Sequence, residues 1–279
     1  MPPTQITMLS SMAGRDFIQA LDQHVAWNIR VLDLKDGIFG KSVADLTDDE
    51  ARHAADLIKR RGLSIYCLST MLSPERWNQG QRYSGGTILT VWNGSLLSPR
   101  SCSPPWSASS RRKHARAKRS ATALRMYGDA VHRLYRVGFP VTIENAVGNN
   151  ILSTPAEVVD FFAGLNCKGE VGFTWDVQNL WQMGTYPTME VYRRLKGVIR
   201  YYHLKGRQHG PDSLTLRWRT SLEDASWPVV EITRQVVADG VSPVICLNPP
   251  HGEPKEGYNY SNLAKRDLDL VRRVTPGVE

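Results

Sequence analysis

Between Arg76 and Gly128 this 279-residue chain contains no aspartate or glutamate, although ten arginines and lysines fall there. The whole chain carries 35 basic against 27 acidic residues, a formal charge of +8, and outside that one segment the balance is 25 to 27. A uniformly basic nucleic-acid-binding surface is thereby excluded, and nucleic acid is not an expected partner of the remainder. Long apolar runs are missing too. None approaches the roughly 20 residues that span a bilayer, so no membrane partner is expected. The amino terminus, MPPTQITML, lacks the charged start and long apolar stretch of a secretion signal, which predicts a soluble cytoplasmic protein. Cysteine is scarce. Cys67, Cys102, Cys167 and Cys246 form no CxxC pair, which argues against a structural zinc site or a disulfide framework. Three of the four lie in or beside apolar runs, as buried thiols do. At 41% apolar residues the chain can bury a substantial core, and wholesale disorder is excluded.

What the chain does have is a regular alternation of short apolar runs with segments of helical period. Residues 6–9, 29–34, 63–68, 139–144, 170–175, 197–204 and 242–247 read as strands. Helices follow near 15–27, 46–61, 121–134, 154–165, from about Thr188, over 227–239 and from Ser261. The second helix opens with Thr47 and Glu50, the spacing of a capping box, and stops at Gly62; Thr154, Pro155 and Glu157 open another in the same manner. About fifty residues remain where one helix and one strand would fit. Eight βα units in a single domain, residues 1–279, form the most economical total. At this length they describe a (β/α)8 TIM barrel, while a doubly wound α/β sheet shares the alternation.

In such a barrel chemistry collects at the carboxyl ends of strands. VTIEN places Glu144 at one end, FTWDVQN places Asp176 with Asn179 three residues on, YYHLKG offers His203 and Lys205, and VICLNPPHGE offers Asn248 with His251 and Glu253 beyond. Singly, each has an ordinary explanation: Asp176 as a turn cap, His203 as a core histidine, Glu144 as a solvated end or a partner of Lys205. Together, on consecutive strand ends about one βα unit apart, they converge. Buried carboxylates are costly unless paired, and one divalent cation would partner all three groups. Two hard oxygens and an imidazole suit Mn, Co or Zn over a thiolate-seeking metal. Glu231, by contrast, falls on the polar face of its helix, which predicts a surface role.

The run of IEN, TWDxxN and HLK at successive strand ends resembles the sugar phosphate isomerase/epimerase family of xylose isomerase-like TIM barrels, loosely over residues 1–75 and more closely over 120–279. The resemblance implies one divalent ion, Mn, Co, Mg or Zn, held by Glu144, Asp176 and His203, with a fourth ligand at Asn248 where the family has glutamate. It implies a sugar or related polyol as the small-molecule partner, enolised by proton abstraction next to its carbonyl. Glu144 would be the base and Lys205 a donor to the developing oxyanion, with Asn179, His209, His251 and Glu253 available to the substrate. An amide at 248 can coordinate but cannot act as a base, which favours isomerisation over two-base epimerisation. Two other readings compete. A non-catalytic ligand-binding barrel, or inactive relative, draws on Asn248 and on the irregular segment at 76–120. An abasic-site endonuclease would share the barrel but typically needs a histidine-rich three-metal cluster, for which only His203, His209 and His251 are at hand.

The acid-free stretch, residues 76–120, interrupts this pattern with a basic region rich in Ser, Pro and Arg where the third helix and fourth strand should lie. It reads as a nucleic-acid-binding insertion with Trp92 and Trp106 to stack on bases, as a solvated loop, or as translation in a shifted frame restored before Leu124. Within it, residues 87–92, TILTVW, are the one segment suited to a replacement strand. The frame reading carries a test: another frame of the coding DNA should encode an amphipathic helix followed by an apolar strand, and a translation lacking both would sink it.

Overall fold

The computed structural model describes residues 3–70, 89–92, 112–147, 151–167, 169–210, 216–248 and 253–278. Strand β1 (Gln5–Met8) leads through one helical turn, α1 (Ser10–Ala13), into α2 (Phe17–Ala26). Next come β2 (Val31–Leu34), α3 (Asp48–Arg60), β3 (Ser64–Thr70) and β4 (Leu89–Trp92). The long helix α4 (Arg112–Arg136) is followed by β5 (Val141–Glu144), α5 (Pro155–Leu165) and β6 (Val171–Asp176). Two short helices, α6 (Val177–Gln182) and α7 (Met189–Leu195), separate β6 from β7 (Ile199–Leu204). A two-stranded ribbon of β8 (Arg207–His209) and β9 (Leu216–Arg219) precedes α8 (Val229–Asp239), β10 (Val244–Leu247) and α9 (Leu263–Val274).

Local chemistry accounts for the boundaries. At α3 the Thr47 hydroxyl accepts from Glu50 N while the Glu50 carboxylate accepts from Thr47 N, so two of the orphan donors at the helix start satisfy each other's residues. At α5 the Thr154 hydroxyl accepts from Glu157 N, but the returning Glu157 carboxylate takes Ser153 N instead. Asn166 and Gly240 end α5 and α8 in the left-handed conformation that releases a helix from its axis. As the sequence pattern requires, Glu231 is exposed while Ile232 and Val236 of the same helix are buried.

The eight-stranded sheet runs β1-β10-β7-β6-β5-β4-β3-β2, with an isolated parallel bridge, Leu9 to Asp33, between its two end strands. Every neighbour is parallel except β4, which lies antiparallel to both β3 and β5. Of the segment 87–92 expected as a replacement strand, Leu89–Trp92 forms one and fills the gap, but in the wrong direction for a regular βα unit. The rest of the acid-free stretch, apart from the start of α4, lies outside the described residues, as does Cys102.

Alternation along the strands sorts side chains onto two faces. Outward-facing Met8, Ile143, Phe173, Trp175, Tyr202, Leu204, Ile245 and Leu247 join Val131, Phe161, Tyr192, Ile232 and Leu268 of the helices in one core. Leu32 and Leu34 pack on Phe17, Leu21, Ala54 and Ile58 in a second. Inside the barrel a small cluster of Leu9, Val31, Cys67, Tyr201, Val244 and Cys246 forms the floor beneath the polar strand ends. Cys67, Cys167 and Cys246 are buried free thiols. No described helix is long and apolar enough to cross a membrane.

Gly206 joins β7 to the ribbon at a point where backbone crosses backbone. A Cβ there would lie 2.2 Å from the Thr220 carbonyl oxygen and 2.5 Å from the Ser221 carbonyl carbon, neither of which can swing aside. Gly206→Ala should therefore cost about 2 kcal/mol, the range of an overpacked site, measured as a lowered midpoint of urea unfolding. A midpoint equal to wild type would show that the ribbon is free to shift.

Candidate metal centre

The interior-facing positions at the carboxyl ends of β5, β6 and β7 are occupied by Glu144, Asp176 and His203. Asp176 pairs with His203 in the β6–β7 ladder, and Cys246 pairs with His203 in the β7–β10 ladder. One ligand atom from each of Glu144, Asp176 and His203 lies within 4.8 Å of the others, and all three residues are buried. His203 Nδ1 stands 3.8 Å from Glu144 Oε1 and its Nε2 stands 3.8 Å from Asp33 Oδ2. Both separations exceed hydrogen-bond reach, and neither ring nitrogen has a partner among the described residues.

Second contacts hold these groups in place. Asp176 does two things: Oδ1 accepts from Asn179 N to cap α6, and Oδ2 lies 2.5 Å from Lys205 Nζ. Asn145, one residue beyond β5, mimics a further rung of the ladder, with Nδ2 donating to the Asp176 carbonyl and Oδ1 accepting from Asp176 N, both at 3.1 Å. Asn179 Nδ2 donates to Glu144 Oε1 at 3.3 Å and to the Asn145 carbonyl at 2.7 Å. Asp33, at the end of β2, accepts from Ser69 Oγ and from Tyr201 Oη, each at 2.7 Å. So anchored, the Asp33 carboxylate faces His203 Nε2 across 3.8 Å without a hydrogen bond to it.

Of the residues singled out in the sequence, Glu144, Asp176, Asn179, His203 and Lys205 are brought together. Asn248 is buried just beyond β10, with its backbone N–H donated to the Leu204 carbonyl and its Oδ1 unpartnered among the described residues. His209 is on the ribbon, its Nδ1 against the Gly210 carbonyl, and Glu253 pairs with Arg217 on the exposed rim; neither contacts the cluster. His251 lies outside the described residues. Sequence reasoning missed Asp33, Asn145, Gln178 and Arg207. Asp33 had a readable signal: it is the lone charge of the strand VLDL, on the opposite face from Leu32 and Leu34.

The electrostatics follow from burial. Glu144 is pushed well above the usual carboxylate range by desolvation and by the charge of Asp176, with Lys205 and Lys35 opposing. Burial would raise Asp176 as well, but Lys205 and His203 outweigh it and hold its pKa below the ordinary value. Desolvation lowers His203 to about 4 against the pull of Asp33 and Asp176, so the ring is neutral at neutral pH, the form that binds metal. Unpartnered imidazole nitrogens, an unpartnered amide oxygen and two buried carboxylates together fit a divalent cation. Glu144, Asp176 and His203 would hold it, with Asn248 as a neutral oxygen donor.

No protein-family model and no curated protein sequence matches the chain. Solved structures do. A xylose isomerase-like TIM barrel protein from Mycobacterium smegmatis, in complex with magnesium, superposes with a TM-score of 0.63 at 14% identity, covering 98% of this chain and 96% of its own. D-psicose 3-epimerase from Clostridium cellulolyticum H10, solved with D-tagatose, gives 0.63 at 10% identity, with 97% and 99% covered. A family 2 AP endonuclease from Brucella melitensis gives 0.53 at 13% identity, with 95% and 98% covered. The fold is that of the xylose isomerase-like TIM barrels, which sets aside the doubly wound sheet.

The depressed His203 pKa has a signed consequence. The unfolded chain takes up the proton first as pH falls below the ordinary 6.5, so stability should be lost between there and about 4 and level off below. Relative to His203→Gln, metal-free wild type should lose of order 1 kcal/mol per pH unit across that window, read from urea unfolding at several pH values. Parallel pH profiles would remove the buried neutral imidazole from the account.

Proposed function

We propose that this chain, as one barrel domain, is a divalent-metal-dependent enzyme that enolises a sugar or related polyol, acting as an isomerase or epimerase. The observation that carries the reading is the convergence of Glu144, Asp176 and His203, all buried, with both nitrogens of the imidazole unpartnered among the described residues. The solved neighbours lend support at the level of the fold, one with magnesium and one with a ketohexose.

In this reading Glu144, Asp176, His203 and Asn248 hold one ion, Mn, Co, Mg or Zn, which when bound supplies Lewis-acid polarisation of a carbonyl oxygen. Glu144 is the base. Its environment lacks a strong partner, since the lysine of the site is committed to Asp176, and the Asn179 amide orients one of its oxygens. Glu144 would take the proton from the hydroxyl-bearing carbon beside the carbonyl and return it to the former carbonyl carbon, while the hydroxyl proton passes from the one oxygen to the other. Lys205, 2.5 Å from Asp176, keeps that carboxylate ionised and is placed to donate to oxygen as charge develops. Asn248 cannot deliver a proton to the opposite face as a carboxylic acid would, so a single-base isomerisation is favoured over inversion at one carbon. The non-catalytic barrel rests on that same asparagine, and turnover separates the two.

Added Mn should raise the unfolding midpoint, by about 2.7 kcal/mol of stability at a hundredfold excess over its dissociation constant. Glu144→Gln should keep much of this metal response yet exchange substrate carbon-bound hydrogen with solvent deuterium at least about a hundredfold more slowly, as loss of a general base requires. His203→Ala should lose both. No metal response in wild type, or undiminished exchange in Glu144→Gln, would overturn the assignment.

A further inference from the structure

The unpartnered buried atoms around this centre are of two kinds. His203 and Asn248 offer lone pairs, as described above. On the adjoining ribbon, Arg207 Nη2, Arg219 Nε and Thr220 Oγ1 are buried without hydrogen-bond partners among the described residues, and these are donors.

Arg207 and Arg219 lie directly opposite each other in the antiparallel β8–β9 ladder, which places both side chains on one face. Like charges so placed are destabilising, and burial makes them more so. Arg207 is only 1% exposed. Its Nε donates to Gln178 Oε1 at 2.8 Å, which aims the rest of the guanidinium without neutralising it. Desolvation pulls its pKa down to about 10, with the charge of Asp176 opposing and that of Arg219 adding to the fall. Arg219 lies over the Tyr260 ring, its Cζ 4.8 Å from the centroid. Neither arginine forms an ion pair among the described residues, whereas Arg217 on the same strand is paired with Glu253.

The position is as informative as the charge. The ribbon begins two residues after Lys205, and Gln178 stands two residues after Asp176, so the paired guanidiniums flank the metal cluster. An oxyanion with several acceptor oxygens would satisfy both free N–H groups while cancelling the repulsion. We propose that Arg207 and Arg219 form an anion subsite beside the metal centre, which takes a phosphate or carboxylate group of the substrate. The word substrate rests on the enolising-enzyme reading; the subsite itself does not.

Calorimetric titration of the full-length, metal-free protein tests this, with inorganic phosphate in one arm and acetate in the other. Saturable binding is expected for at least one anion, phosphate alone pointing to a phosphate ester and acetate alone to a sugar acid. Arg219→Gln, at a partly exposed position, should weaken that binding about tenfold, equivalent to about 1.4 kcal/mol, while leaving Mn binding as in wild type. Arg207→Lys, which keeps the charge but loses the planar fork, should weaken it as well. Absence of saturable binding to either anion, or wild-type affinity in Arg219→Gln, would overturn the subsite. Anion binding that is lost in Arg219→Gln in a protein that binds no Mn would uphold the subsite and bring down the enolising reading instead.

Discussion

Three carboxylates, Asp33, Glu144 and Asp176, are buried together inside the barrel with one lysine in direct contact, and the organisation of the active end depends on how that charge is compensated. The effective penalty for burying an ion is several kcal/mol, against a total stability of about 5–15 kcal/mol for a domain. Three unrelieved charges would consume it. The structure deals with each differently. Asp33 receives two hydroxyl hydrogen bonds, Asp176 receives the lysine and a helix-capping N–H, and Glu144, which receives one long amide contact, is the group driven toward protonation. The poorly satisfied member is therefore also the one best able to exchange a proton, and it lies nearest the unpartnered Nδ1 of His203.

Much of this was legible in the sequence because strand alternation is unforgiving. A charge in an apolar strand must face the opposite side from its apolar neighbours, and in a parallel sheet whose outer face is covered by helices, that side is the barrel interior. Glu144 after Ile143, Asp176 after Trp175 and His203 between Tyr202 and Leu204 all obey it, and so does Asp33, which is masked by the apolar character of the run around it. Asn145, Gln178 and Arg207 were opaque for another reason. Their roles depend on side-chain contacts between residues about 30 apart in sequence, and no local period encodes those. The short helix α6 was hidden by Asp176 itself, which ends a strand and caps a helix with the same carboxylate. The ribbon was hidden by its brevity, since RQH has no apolar residue and LRWR, though it alternates, is only four residues long.

The antiparallel β4 marks the limit of the repeat. A parallel neighbour needs a crossover that returns the chain to the same end of the sheet, and helices provide it elsewhere in this barrel. Between β3 and β4 the sequence carries no run of helical period, and β4 pairs antiparallel with both of its neighbours. β3 and β5 thereby keep partners for backbone groups that would otherwise present open edges, and the cluster on β5 to β7 retains its registers. The positive surplus of the chain belongs to this interruption and not to the active end.

Asn248 links the two halves of the active end. With glutamate there, a divalent ion would be over-neutralised by three carboxylates and the centre would repel an anion. With asparagine, Glu144 and Asp176 balance the ion, and the oxygen of the amide donates without adding charge. On the proposed reading, a neutral metal centre would then adjoin the positive ribbon that begins two residues after Lys205. If the proposed anion subsite holds, such a field would favour, among sugars and polyols, one whose own negative charge lies a few bonds from its carbonyl and pairs the N–H groups of the arginines. On that reading, asparagine at position 248 would bear on which substrates suit the centre as well as on which bases it can supply.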